Sequence, residues 1–365
     1  MKKTLAFILS LALVLMVFAG CSSKTDDAAS SAPAETAAAS SAAASEATAE
    51  TSAQPAEGGA VKTGLAVVTS VAKSTDAGTE DGLAETDSTV VAVTVDKDGK
   101  IVKCAIDMAQ TKINFSAQGK ITTPLDTAFK SKQELGADYG MGKASSIGKE
   151  WFEQANAFAA YAQGKTVDEI KGIAVNEEGV PSDAELASSV TIHIGDFVAA
   201  IEKAVANAQD LGATSADKLG LGIATNIGSS ADAADKDGVA QAYSTYAATT
   251  FDAGGKITSS VIDAFQANVN FSAAGKITSD LTAAVQSKDE LGEAYGLKKA
   301  SSIGKEWNEQ AAAFAKYAAG KTVDEVKGVA VNEEGVPSDA ELSSSVTVHV
   351  GDFIAVIEKG FTNAK

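Results

Sequence analysis

The chain has 365 residues, and setting aside a leader of 20 leaves 345, enough for two domains of about 150. Thirty basic residues against 48 acidic ones give a net charge of −18, which argues against nucleic acid and anionic headgroups as partners. Every basic side chain is Lys, so no guanidinium fork is available for phosphate or carboxylate, and two cysteines, Cys21 and Cys104, are too few for a disulfide framework or a thiolate metal cage.

Lys2 and Lys3 precede an apolar run of 14 residues, Leu5 to Phe18. That is short of the about 20 a membrane-spanning helix needs and suits the core of a signal peptide. The run ends in Phe18-Ala19-Gly20-Cys21, which resembles the lipobox of bacterial lipoproteins. The resemblance implies a signal peptide over 1–20 and lipidation at Cys21, hence a protein anchored on the extracytoplasmic side of the membrane, and the long tether that follows suits a Gram-positive cell surface. From Ser22 to Ala60, 15 of 39 residues are Ala, 8 are Ser and 4 are Thr, with no large apolar side chain. Such a stretch cannot bury enough surface to offset its ordering entropy, so residues 21–60 are expected to be a disordered tether.

The remainder is one unit written twice. A shift of 156 residues lays 63–208 on 219–364 without a gap, and over Ser145–Lys203 against Ser301–Lys359, 48 of 59 positions are identical. Over Ser88–Ile113 against Ser244–Val269 only 11 of 26 are. This internal duplication divides the chain into repeat 1 (61–208), a linker (209–218) and repeat 2 (219–365).

In repeat 1, Ser88–Val95 alternates as a strand, Asp96-Lys97-Asp98-Gly99 turns, and Lys100–Asp107 returns; Lys112–Phe115 reads as a further strand. Ser145-Ser146 offers an N-cap for a helix with Ile147, Trp151, Ala155, Phe158 and Ala162 on one face. Thr166-Val167-Asp168-Glu169 and Ser182-Asp183-Ala184-Glu185 read as capping boxes, Val190–Ile194 as a strand or extended lead-in, and Asp196 as the cap of a final helix. Strands first and helices after predict α+β domains, each a small antiparallel sheet with packed helices.

The segment Glu185-Leu186-Ala187-Ser188-Ser189-Val190-Thr191, leading into an Ala-rich helix, resembles the signature Asp-x-x-Ser/Thr-Gly-Ala-Thr of FMN-binding domains in bacterial surface electron-transfer flavoproteins. The resemblance implies FMN joined to the last Thr through a phosphoester, here Thr191 and, in repeat 2, Thr347. It further implies phosphate contacts from Ser188, Ser189, Ser344 and Ser345, and a tandem FMN-binding-like lipoprotein acting as an extracellular electron carrier with a redox partner, not as an enzyme in its own right. Glu185, Ser189 and Val190 depart from the pattern, as do Glu341, Ser345 and Val346. Three readings therefore stand open: covalent FMN, the same fold without flavin, and an unrelated α+β domain. The alternative function is a surface lipoprotein that binds another small molecule or serves a structural role.

Were flavin bound, Trp151, Tyr139 and Phe115 with Trp307, Tyr295 and Phe271 are the aromatic walls available, although Trp151 lies on the apolar stripe of its helix and reads first as core. His193 and His349, the only histidines, read as surface or satisfied imidazoles, and no His pair has zinc spacing. Asn176-Glu177-Glu178-Gly179 reads as a solvated turn, Cys104 as a buried small side chain, and no catalytic residue or metal site is assigned.

Overall fold

The computed structural model describes residues 58–365. The expected leader over 1–20, the lipidated Cys21 and all but the last three residues of the tether over 21–60 lie outside the described residues. Among the described residues no helix is long and apolar enough to cross a membrane.

The fold is α+β, with two three-stranded antiparallel sheets in which sequence order is spatial order. Repeat 1 runs β1 (Lys62–Ser70), β2 (Gly82–Val95), β3 (Ile101–Phe115), α1 (Lys132–Leu135), α2 (Trp151–Ala162), α3 (Val167–Lys171), α4 (Ala184–Ala187) and α5 (Gly195–Ala206). Repeat 2 repeats this as β4 (Lys218–Asn226), β5 (Gly238–Phe251), β6 (Ile257–Phe271), α6 (Lys288–Leu291), α7 (Trp307–Ala318), α8 (Val323–Lys327), α9 (Ala340–Ser343) and α10 (Gly351–Asn363).

Each sheet is covered on both faces, which explains why β2 reads as an almost unbroken apolar run. Val91, Val93 and Val95 meet α2 and α5 through Ala155, Phe158, Phe197 and Ile201. Val90 and Ala92 point the other way, into a core shared with Leu221, Ile223, Tyr246 and Phe265 of the second sheet. The repeats thus pack sheet to sheet, and Phe115 stacks on Phe271 with ring centroids 4.3 Å apart and planes within 10°. Stacked aromatics buried at such a seam carry a large share of its apolar area.

Many of the contacts across the seam come in reciprocal pairs, the mark of an isologous interface. Ala77 N–H donates to Gly275 O and Ala233 N–H to Gly119 O, both at 2.8 Å. Asp76 Oδ1 accepts from Ile277 N–H and Asp232 Oδ1 from Ile121 N–H, again both at 2.8 Å. Lys203 pairs with Glu290 at 2.6 Å and Lys359 with Glu134 at 2.8 Å. Gly119 and Gly275 hold φ of +67° and +65° at these turns, where a Cβ would press on the other repeat's backbone. The linker is seated against the first repeat: Val61 N–H donates to Ala213 O at 3.0 Å and Thr63 N–H to Gln209 O at 2.8 Å. Lys365 pairs with Leu219 in the equivalent way.

Several elements differ from their expected form. β1 lacks a clear sequence signal because Gly64 interrupts it; the glycine is needed there, since a Cβ would overlap the Ala204 carbonyl of α5. Lys112–Phe115 continues β3 rather than forming a new strand. The helix expected from Ser145 starts instead at Trp151, because Gly148 takes φ +67° and Glu150 with Glu153 supplies the capping box. Thr166 caps α3 as expected, Asp183 rather than Ser182 caps α4, and α5 begins at Gly195 with Asp196 in its first turn instead of at its cap. Val190–Ile194 forms no strand.

Candidate functional site

The loop between α4 and α5 carries the Thr of the FMN-like signature, and a buried amide holds it. Gln154 of α2, fully buried, accepts the Thr191 backbone N–H at 2.8 Å and the Thr191 hydroxyl at 3.2 Å through Oε1. Its Nε2 donates to Ser145 Oγ and to Lys149 O, both at 3.1 Å. Gln310 holds Thr347 identically, at 2.8 and 3.2 Å. The neighbouring serines bond within their own turn: Ser188 Oγ donates to Glu185 O at 2.9 Å and Ser189 Oγ to Leu186 O at 3.1 Å. Ser344 and Ser345 do the same, to Glu341 O at 3.2 Å and Leu342 O at 3.1 Å. Val190 and Val346 are fully buried and anchor the loop to the core.

Beside the Thr347 loop of repeat 2 lies a cleft of about 360 Å³, walled by Val348, His349 and Asp352 on one side and by Tyr243, Tyr295 and Trp307 on the other. At its base is Lys288, only 4% exposed. Its ammonium sits 4.5 Å from the Tyr243 ring centroid and 4.6 Å from those of both Tyr295 and Trp307, and donates to the Tyr243 hydroxyl at 3.0 Å. Burial lowers the Lys288 pKa to about 8, with Asp263 and Asp352 opposing the shift. Cation–π contact with three rings offsets part of that desolvation.

The position of Lys288 is set from below. Ser287 and Glu290 form a reciprocal capping box around the first turn of α6. Asp263, buried on β6, accepts the Asp289 N–H at 3.0 Å, the Ala264 N–H at 2.7 Å and the Tyr246 hydroxyl at 3.0 Å, tying that turn to the sheet. In repeat 1, Asp107 accepts from Gln133 N–H at 3.0 Å and Met108 N–H at 2.7 Å, and burial raises its pKa to about 6. Lys132, the counterpart of Lys288, lies 4.5 Å from the Tyr139 ring and 5.3 Å from that of Trp151.

The strands and the connection between the first two of them make the two sites unequal. Where repeat 2 has Ser229, Gln241, Tyr243 and Asn268, repeat 1 has Lys73, Glu85, Asp87 and Lys112. Lys73 pairs with Asp87 at 2.6 Å, Lys112 lies 3.5 Å from Glu85, and Gln110 donates to Asp87 at 2.8 Å and Glu85 at 3.1 Å.

Trp151 and Trp307 are core residues, edge-on to Phe197 and Phe353, with Trp307 also reaching the cleft. Phe115 and Phe271, expected as flavin walls, are spent on the seam between the sheets and reach neither site. His193 and His349 are exposed; each Nδ1 accepts a backbone N–H, from Gly195 and Gly351, at 3.2 Å. Asn176 Oδ1 accepts from Glu178 and Val180 N–H at 3.0 Å, a side-chain-closed turn, and among the described residues no carboxylate, His or Cys cluster is arranged to hold a metal. Cys104 is half-buried, with its thiol pushed up to about 12 by desolvation. Sequence reasoning missed Gln154, Gln310, Lys132, Lys288, Asp107 and Asp263. Their signals were present: a Gln within an apolar helix stripe, and Ser131-Lys132-Gln133-Glu134 with Ser287-Lys288-Asp289-Glu290 as capping boxes.

No protein-family model matches the chain, and no solved structure matches it. The chain is 33% identical over 94 residues to a chlorophenol reductase of Desulfitobacterium hafniense. That match covers 23% of this chain and spans 29% of that protein's length.

Proposed function

We propose that this chain is a lipoprotein of the Gram-positive cell surface, anchored through Cys21, whose tandem FMN-binding-like repeats serve an electron carrier rather than an enzyme. The observation that carries the reading is the caged Lys288 at the base of an aromatic cleft beside the Thr347 loop. A cation in such a place favours an aromatic ring that bears or gains negative charge. The residues fit a flavin. A phosphoester at Thr347 Oγ1 leaves Gln310 Oε1 still satisfied by the Thr347 N–H at 2.8 Å, so no buried acceptor is orphaned. Bound FMN would supply one- or two-electron redox chemistry. Lys288 would hold charge, Tyr295 and Trp307 would wall the ring from water, and Gln310 would orient the Thr347 hydroxyl.

A second reading, a surface protein for a different small ligand, is favoured by the serines. The hydroxyl hydrogens of Ser344 and Ser345 are committed to carbonyls of their own turn, and the Gly351 N–H is taken by His349 Nδ1. In-gel fluorescence of denatured protein, coexpressed with a flavin transferase, separates the two. Emission that survives denaturation and is lost in Thr347→Ala supports covalent FMN; a dark band overturns it.

A further inference from the structure

We infer that the repeats have divided their labour: repeat 2 keeps a cleft for one planar, anionic aromatic ligand, whereas repeat 1 has closed its counterpart with an ion-pair network. Each chain then binds a single such ligand. The identity of that ligand as flavin rests on the reading above; the inequality of the sites does not.

The helical half of the site is shared, since Lys132 and Lys288, Tyr139 and Tyr295, and Trp151 and Trp307 occupy matching positions. The difference comes from the strands and from the connection that carries Ser229. Tyr243 supplies a third ring and a hydroxyl oxygen that accepts a 3.0 Å hydrogen bond from the Lys288 ammonium, while Ser229 and Gln266 line the cleft without charge. An anionic ring entering there meets a desolvated cation and aromatic surface. Asp352 is the one carboxylate lining the cleft, and it lies where it balances Lys288.

In repeat 1 the third ring is replaced by a carboxylate, Asp87. Lys73 stands in place of Ser229 and bridges to Asp87 at 2.6 Å. Gln110, the counterpart of the cleft-lining Gln266, is drawn into the network by bonds of 2.8 and 3.1 Å to Asp87 and Glu85. Glu85 and Asp87 are 6% and 9% exposed, so a ligand displacing their partners would leave buried carboxylates unpaired beside an incoming anion. Both terms oppose binding at repeat 1.

The test is a titration of the full chain with FMN and, in parallel, with 8-anilinonaphthalene-1-sulfonate, an anionic aromatic probe unrelated to flavin. Three proteins are compared: the unaltered chain, Ser229→Lys/Tyr243→Asp, which grafts the repeat 1 pair onto repeat 2, and Lys73→Ser/Asp87→Tyr, which does the reverse. Circular dichroism establishes that each graft folds, and either graft alone suffices. The expected result is one site, a loss of affinity of at least about tenfold in the first graft, and a second site in the reverse graft. Two sites in the unaltered chain, or one that survives the first graft, overturns the inference while leaving flavin binding intact. If FMN does not bind and the sulfonate follows the expected pattern, the flavin reading fails and the division of labour stands. If neither probe follows that pattern, the inference fails.

Discussion

The two repeats share 48 of 59 positions across Ser145–Lys203 but only 11 of 26 across Ser88–Ile113, and the structure shows what separates these regions. The helical region packs on its own sheet, so each copy faces the same internal demand. The strands face the other repeat. Once two copies occupy one chain, a residue at the seam no longer meets its own equivalent under strict symmetry, and volume can move from one side to the other. Tyr246 and Phe265 are large where their counterparts Val90 and Ala109 are small, and all four lie in one shared core. The two sites also differ, at Tyr243 against Asp87 on the sheet face away from the seam and at Ser229 against Lys73 in the connection that precedes that strand. Divergence is thus concentrated in the strands and their connections rather than in the helices.

The largest expected effect comes from breaking the seam. Phe271→Ala removes half of the 4.3 Å stack and should cost about 3–5 kcal/mol in urea denaturation, with both repeats losing structure in one transition. Two transitions, with repeat 1 unaffected, would show that the sheets fold independently. Next, Gln154→Ala and Gln310→Ala each strand a partly buried Thr N–H that now donates at 2.8 Å, for an expected loss of about 1–3 kcal/mol. Equal losses in the two would confirm that this part of the site is still symmetric.

Titration distinguishes the repeats further. Lys288, with its pKa lowered to about 8, binds fewer protons folded than unfolded between about 8 and 10.4, so its contribution to stability rises with pH across that window. Lys288→Met should flatten that rise and stabilise the chain at pH 7 by about 1–3 kcal/mol, read from urea curves at pH 7 and 10. Asp107, raised to about 6, has the opposite consequence: the folded state holds its proton more firmly, so stability falls as pH climbs from about 4 to 6. Asp107→Asn should remove that decline while keeping an oxygen to accept the Gln133 and Met108 N–H groups. The smallest effect belongs to the partly exposed pairs Lys203–Glu290 and Lys359–Glu134, where Lys203→Ala or Lys359→Ala should cost under about 1 kcal/mol, reduced further by salt.

Much of this was legible in the amino-acid order, for local reasons. The Thr166 capping box, the turn at Asp96–Gly99 and the apolar stripe through Trp151, Ala155 and Phe158 depend on neighbours a few residues away. Gly148 hid the true start of α2, because its left-handed φ is invisible in a sequence stripe that runs on through Ile147. β1 was hidden because Gly64 answers to a carbonyl on α5, 140 positions along the chain at Ala204. Phe115 looked like a ligand wall because nothing near it in sequence identifies Phe271 as its partner. The Thr191 and Thr347 loops could be found by their pattern, but Gln154, Gln310 and the caged lysines belong to the site only through tertiary contact.

The most direct test of this account is native mass spectrometry of the full chain with FMN present, either added or installed by a flavin transferase. The account predicts a single added flavin mass, mapped by proteolysis to repeat 2 and absent from Ser229→Lys/Tyr243→Asp. Two flavins divided equally between the repeats would contradict it.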